Sequence, residues 1–250
     1  MPGTGRGLKQ MPQALVPLKD LVQAKTRLAG LLRPSERRAL AQAMLEDVLQ
    51  VLTGHPHIER VTLLSDDPAA PLLARQWGVD HWPEGEHGGC GLNQVVSRAS
   101  EQLLQDRAEP LLVLHADLPL LTSGDISAVL ASYGDKGGLV IGSDNRGTGT
   151  NLLAFGRVSM PRFCFGPDSC ARHLAAARQA AIAARIIQRA GIALDVDEPR
   201  DLAELLAALP DVEGGHTKAL LDATTLGGRI SLALASLAPL NSLQNERGEG

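Results

Sequence analysis

The sequence predicts an α/β fold: a three-layer domain around a mostly parallel sheet. Three observations point there. Short apolar runs alternate with segments of helical periodicity along the 250 residues. The clearest run, residues 111–114, holds no polar residue, as a strand covered on both faces requires. Two of the runs end in Asp- and Pro-containing segments, Ser65-Asp66-Asp67-Pro68 and His115-Ala116-Asp117-Leu118-Pro119. In open α/β sheets ligands bind beyond such strand ends.

Each element follows in order. The first eleven residues are Gly-rich and polar, and are expected to be loose. Residues 14–18 are long enough for one buried strand. From Pro34, which suits a first helical turn, Leu40, Met44, Leu45, Val48, Leu49 and Leu52 recur at three-to-four spacing until Gly54 stops the helix. Residues 61–64 read as the next strand, followed by a short helix through Leu72, Leu73 and Trp77. A flexible loop is expected at 88–91 and a helix over 93–104. Thr122 caps a helix through Ile126, Val129 and Leu130. Strands at 139–141 and 152–155 flank a Gly/Thr-rich loop, and residues 169–180 are helical. Residues 193–197 read as a strand end, and Pro199 opens a helix through Leu209. After Val212 the pattern fades. The expected organisation is a flexible stretch at 1–11, one domain over 12–212, and a tail over 213–250 that is mobile or docked at the periphery, with 230–237 as its docking part.

Composition removes several function classes. Lys and Arg number 24 against 28 Asp and Glu, for a net charge of −4, so a general electrostatic grip on nucleic acid is not expected. Trp77, Trp82, Tyr133, Phe155, Phe163 and Phe165 are too few to build base-stacking platforms. No apolar run approaches the ~18 residues that would span a membrane. Cys90, Cys164 and Cys170 show neither zinc spacing nor an even count, so a reducing, cytoplasmic setting is the default.

Four constellations could carry chemistry. Asp117 follows the most apolar run, although Asp-x-Pro is also turn chemistry. Asp195 and Asp197, two apart on a strand, would face one side and repel unless a cation relieves them. That suits an oxygen-ligand site of Mg²⁺ type, with helix capping ahead of Pro199 as the structural alternative. Lys19, Lys25 and Arg27 lie close together after the first strand, where they could meet a polyphosphate or simply be solvated. Two loops of small residues, Gly147 to Asn151 and Phe165 to Ser169, offer N–H groups and hydroxyls to an anion, the second directly before a helix. No GxxxxGK[ST] or GxGxxG motif follows the first strand, which disfavours a P-loop or dinucleotide enzyme. The histidines form no metal spacing; His115 could orient Asp117.

Taken together, six strings resemble a known family: Val16-Pro17-Leu18-Lys19 with Ala24-Lys25-Thr26-Arg27-Leu28; Gly91-Leu92-Asn93; Ala116-Asp117-Leu118-Pro119; Gly147-Thr148-Gly149-Thr150-Asn151; Phe165-Gly166-Pro167-Asp168-Ser169 with Ala171-Arg172-His173; and Leu194-Asp195-Val196-Asp197-Glu198-Pro199. In this order they resemble the 2-phospholactate / phosphoenolpyruvate guanylyltransferases of coenzyme F-420 biosynthesis, over about residues 12–210. That family is similar to the molybdenum-cofactor guanylyltransferases, which implies a Rossmann-like nucleotidyltransferase fold.

The resemblance implies that GTP donates GMP to a phosphorylated three-carbon acid with release of pyrophosphate. Asp117, Asp195 and Asp197 would hold Mg²⁺, and Asp117, Lys25 and Arg27 would carry catalysis. Thr150, Gly166 and Ser169 would bind the acid. Lys19 would meet the GTP phosphates beside Lys25 and Arg27, with Gly91 and Asn93 near the nucleoside. The acceptor stays open among phosphoenolpyruvate, 3-phospho-D-glycerate and 2-phospho-L-lactate. Cys170, after Ser169, departs from the bulkier residue usual in the family. A homodimer and no membrane or nucleic-acid partner are further expectations. The rivals are a molybdopterin- or sugar-phosphate-type nucleotidyltransferase, whose Gly-rich first loop is absent here, and a nucleotide-binding regulator without catalysis.

Overall fold

The computed structural model describes residues 12–21, 23–87, 91–105 and 110–245. The expectations for residues 1–11, the loop at 88–90 and the end of the tail at 246–250 lie outside the described residues.

Sixteen elements follow in order: β1 (Gln13–Pro17), α1 (Pro34–Gly54), β2 (Arg60–Leu64), α2 (Ala70–Trp77), β3 (Asp80–Trp82), α3 (Leu92–Gln105), β4 (Leu111–Leu114), α4 (Ser123–Tyr133), β5 (Leu139–Ser143), β6 (Thr150–Phe155), α5 (Ser169–Gln179), β7 (Ala184–Ile187), α6 (Ala190–Ala193), α7 (Pro199–Ala208), α8 (His216–Ala223) and α9 (Leu226–Asn245). The strands form one seven-stranded sheet in the order β3-β2-β1-β4-β6-β5-β7. β6 runs antiparallel to β4 and β5; the other pairings are parallel.

Alternation along the central strands builds two cores. On β4, Leu112 and Leu114 pack with α1, α2 and α4, while Leu111 and Val113 face α3 and α5. This is why the strand tolerates no polar residue. The Thr122 hydroxyl accepts from the Asp125 N–H at 3.1 Å, and the Asp125 carboxylate accepts from the Thr122 N–H at 3.0 Å, closing the start of α4 as expected.

Three features differ from the sequence reading. The edge strands β3 and β7 were not anticipated. Both are short and only half buried, so their pairing comes from the neighbouring strand, not from a pattern of their own. Residues 193–197 form no strand: α6 ends at Ala193 and an irregular segment follows. β6 already occupies the second edge of β4 and β7 the second edge of β5, so neither of these strands can pair with this segment. It is held instead by single bonds, Val196 N–H to the Asp117 carbonyl at 3.3 Å and Asn145 N–H to the Ala193 carbonyl at 3.0 Å. The entry to it is tight: a Cβ on Gly191 would collide with the Asp125 carboxylate and the Leu120 carbonyl.

The stretch after Val212 carries α8 and α9. Asp47 of α1 accepts from the N–H groups of His216 and Thr217, at 2.5 and 3.0 Å, so a buried carboxylate caps α8. Leu221, Leu226 and Ile230 join Leu40, Met44, Leu202 and Leu205 in a third apolar cluster.

Candidate active site

The cavity of about 570 Å³ opens beyond the carboxyl ends of β1 and β4. Its lining includes Lys19, Lys25, Arg27, His115, Asp117, Asp195 and Asp197. Three segments bring them there.

The first is the loop after β1. Leu21, Leu28 and Leu32 are buried and pin it to the core, and Leu21 N–H donates to the Asp67 carboxylate at 2.7 Å. Lys25 adopts the left-handed region, φ 55°, which strains a residue with a Cβ. Its ammonium is thereby delivered to the Asp117 and Asp197 carboxylates, the latter at 2.8 Å. The second segment is the end of β4. His115 N–H still bonds to the Asn151 carbonyl at 3.0 Å, and Asp117 sits just past the ladder. The third is residues 194–197. Leu194 and Val196 are buried, which turns the intervening carboxylates toward the cavity even though no strand forms. Asn151 clamps this segment from β6, donating to the Ile192 carbonyl at 2.9 Å and to Asp195 Oδ1 at 3.1 Å.

Electrostatics follow from this crowding. Burial alone would lower the Lys25 pKa, but Asp117 and Asp197 overcome it and raise it above the usual lysine value. Burial would likewise raise Asp117, yet the Lys25 ammonium, with help from His115, holds it below the usual carboxylate range. Asp195 makes no ion pair among the described residues; burial and then the Asp117 charge push it up.

The carboxylates fit a hard cation in kind: all donors are oxygen, and Asp117 Oδ1 is buried without a hydrogen-bond partner among the described residues. As they stand, however, no group of three such side chains among the described residues is spaced to hold an ion. The Lys25 ammonium lies between two of them.

Lys19 and Arg27 line the cavity as exposed cations, and Arg27 meets Glu198 at 3.2 Å. Arg146 and Arg200 approach the same carboxylate, at 3.8 and 3.6 Å. Thr150, Gly166 and Ser169 are not part of this lining. They form a second cluster beside it, joined through the His115 and Phe165 rings, whose centroids are 5.3 Å apart. Gly166 has φ +117°, so a side chain there would be strained. Gly91, φ +95°, precedes α3, where Leu92 lines the cavity. Asn93 turns to the Phe165 backbone, accepting its N–H at 2.7 Å and donating to its carbonyl at 3.2 Å.

The sequence reading missed the roles of Asn151, His173, Arg146 and Arg200. A polar residue beginning an otherwise apolar strand was the available signal for Asn151. His173 is fully buried, taking Cys164 N–H on Nε2 at 2.9 Å and meeting Thr150 Oγ1 through Nδ1 at 3.1 Å. Burial is the main reason its pKa is pushed down to about 4, with Arg172 and His115 adding repulsion against the Ser169 carbonyl's opposing pull.

A pH prediction arises here. The unfolded chain takes up a proton on this histidine near pH 6.5 while the folded chain resists until about pH 4. Stability from this group is therefore complete above pH 6.5 and lost as pH falls to about 4, by ~3 kcal/mol in all. Denaturant unfolding between pH 7 and 4 should show a slope that His173→Gln flattens. An unchanged slope in that variant would refute the assignment.

Comparison with known proteins then adds the following. Residues 12–226 match the profile of the family described as "Guanylyl transferase CofC like". The chain is 37% identical over 213 residues to a phosphoenolpyruvate guanylyltransferase of Conexibacter woesei, covering 84% of this chain and 94% of that protein. It is 37% identical over 195 residues to a phosphoenolpyruvate guanylyltransferase of Rubrobacter xylanophilus, covering 78% and 93%. A structure from Desulfovibrio desulfuricans G20, described as a nucleotide-diphospho-sugar transferase, superposes with a TM-score of 0.75 at 19% identity, over 88% of this chain and 97% of that one. This last likeness concerns the fold alone.

Proposed function

The chain belongs to the CofC-like guanylyl transferase family, and from that premise we propose that it transfers GMP from GTP to the phosphate of a three-carbon phospho-acid, phosphoenolpyruvate first among them. A phosphate oxygen of the acid attacks the α-phosphorus of GTP. The bond from that phosphorus to the β-phosphate oxygen breaks, and pyrophosphate leaves. The guanylylated acid would enter coenzyme F-420 assembly. Phosphoenolpyruvate is favoured over 3-phospho-D-glycerate and 2-phospho-L-lactate because it is the substrate named for the relatives. Cytoplasmic placement is carried into the proposal from the cysteine usage and a homodimer from the resemblance. No helix among the described residues is long and apolar enough to cross a membrane.

One observation carries the reading: cations from one loop and carboxylates from two others line a single cavity at the strand ends. The acceptor phosphate is mostly dianionic at neutral pH, its second pKa being about 6, so its oxygen needs no general base. What the protein must supply is neutralisation where two anions meet. Lys19 and Arg27 stand exposed at the cavity to receive the triphosphate. Asp117, Asp195 and Asp197 would hold Mg²⁺, which would supply positive charge against the phosphates. Lys25 then exchanges its carboxylates for phosphate. Thr150 and Ser169 hydroxyls, with the N-terminus of α5, would hold the acid.

Pyrophosphate release from GTP with each of the three acids in turn tests this. Release dependent on GTP, a divalent cation and one of the acids is expected, with phosphoenolpyruvate fastest. Equal release without any acid, or none with all three, would overturn it. A sugar phosphate as the sole working acceptor would favour the rival transferase.

A further inference from the structure

We propose that His173 is a positioning residue that fixes the Thr150 hydroxyl as a hydrogen-bond donor toward the acceptor acid, making the site select an ionised oxygen group. This rests on the reading above, in which Thr150 and Ser169 hold that acid.

Cys164 N–H lies 2.9 Å from His173 Nε2. A backbone N–H can only donate, so Nε2 carries the lone pair, and a neutral imidazole then bears its proton on Nδ1. The ring is fully buried, and burial favours that neutral form.

Nδ1 is 3.1 Å from Thr150 Oγ1. With the proton on Nδ1, the threonine hydroxyl accepts this bond. Its own proton stays uncommitted, because among the described residues the hydroxyl makes no other hydrogen bond. The same holds for the Ser169 hydroxyl, which has no hydrogen-bond partner among the described residues and is not a buried orphan. Both hydroxyls are therefore free to donate to the acid that the reading above places there. An ionised carboxylate or phosphate oxygen satisfies them most strongly, because such bonds are charge-assisted; a group that offers only N–H donors does not satisfy them.

His173 also connects the parts of this cluster. It sits on α5, receives the backbone just before Phe165-Gly166, and meets the first residue of β6. Asn93 holds the Phe165 backbone from the other side. The orientation of Thr150 is thus set by a buried ring with both nitrogens engaged, and rotation of that ring would leave the Cys164 N–H unpaired.

Two substitutions separate the two ring nitrogens. Gln at 173 can place an oxygen where Nε2 was, keeping the Cys164 bond and losing the donor to Thr150. Asn can place its NH₂ where Nδ1 was, keeping the donor and losing the Cys164 bond. With wild type, His173→Gln and His173→Asn, we would measure kcat, KM for phosphoenolpyruvate, KM for GTP and Tm. His173→Gln should raise KM for phosphoenolpyruvate about tenfold, with KM for GTP unchanged. His173→Asn should keep KM for phosphoenolpyruvate near the wild-type value, even if Tm falls. Wild-type KM for phosphoenolpyruvate in His173→Gln, or parallel loss of both substrates in step with Tm, would overturn the inference. Should His173→Gln not fold, the ¹⁵N shifts of the histidine ring in the wild-type protein decide: protonated Nδ1 supports the proposal and protonated Nε2 overturns it. A wild type that uses none of the three acids fails the underlying reading and this inference with it. A wild type that uses phosphoenolpyruvate while His173→Gln binds it normally fails this inference alone.

Discussion

Asp117→Asn is expected to lower kcat by about 10³-fold or more while leaving a folded chain. Asp117 is the carboxylate with the most at stake in the cavity. One oxygen pairs with Lys25, and the other, Oδ1, is buried with no partner among the described residues. A buried acceptor kept bare costs free energy, so its retention points to a ligand that it meets during turnover. Asparagine keeps the size but removes the charge that holds Lys25 and would hold Mg²⁺, the cations proposed to neutralise phosphate in the transition state. Losing a single preorganised electrostatic contact costs about 10²–10³ in rate, and here the Lys25 partnership changes at the same time. The fold should survive, because the side chain lies past the end of β4 and the ladder does not depend on it. Pyrophosphate release and Tm measured together check this. Near wild-type turnover in Asp117→Asn would remove the residue from catalysis; collapse of the fold would show it to be structural.

Lys25→Met has the second largest expected effect, and it reaches stability as well as activity. The side chain is 6% exposed and holds both Asp117 and Asp197. Removing it leaves Asp117 beside Asp195 and Asp197 without that compensation. Breaking a fully buried pair costs about 3–5 kcal/mol. Asp197 is about half exposed, so solvent screening lowers the expected loss to roughly 2 kcal/mol. Turnover should fall at least about a hundredfold, since the cation that meets the triphosphate is gone. The variant's Tm in EDTA should lie well below wild type, and millimolar Mg²⁺ should recover much of the difference. The wild type, whose own ammonium already neutralises these carboxylates, should respond less. Equal responses of the two proteins to Mg²⁺ would show that Lys25 and the cation do not share the site.

Much of this molecule was legible before any coordinates. The alternating pattern of runs and helices places β1, β2, β4, β5 and β6, because a strand buried on both faces must be apolar and short, and Leu111–Leu114 could be little else. The helix boundaries at Pro34 and Thr122 were legible because caps and first-turn prolines act within a few residues of the chain. Asp117 stood out because it follows the most apolar run, and Asp195 and Asp197 because two carboxylates on one side would repel, although turn and cap chemistry were open alternatives for each. The edge strands β3 and β7 were not legible, since each depends on the strand beside it. Nor was the true state of 193–197: its alternating burial is that of a strand, but the edges it would need are already taken by β6 and β7.

By itself, the sequence determined the layered α/β architecture, the family and most of the charged residues that line the cavity. Those follow from local preferences and from motifs that keep their order along the chain. Tertiary structure alone decided which of those charges meet. It put Lys25 between Asp117 and Asp197, residues separated by 92 and 172 positions. It also gave Asn151 and His173 their holding roles and set the Thr150 cluster beside the main cavity instead of inside its lining. The reason is physical: a charge's partner and protonation depend on burial and on neighbours a few ångströms away, and folding chooses those neighbours without regard to distance along the chain.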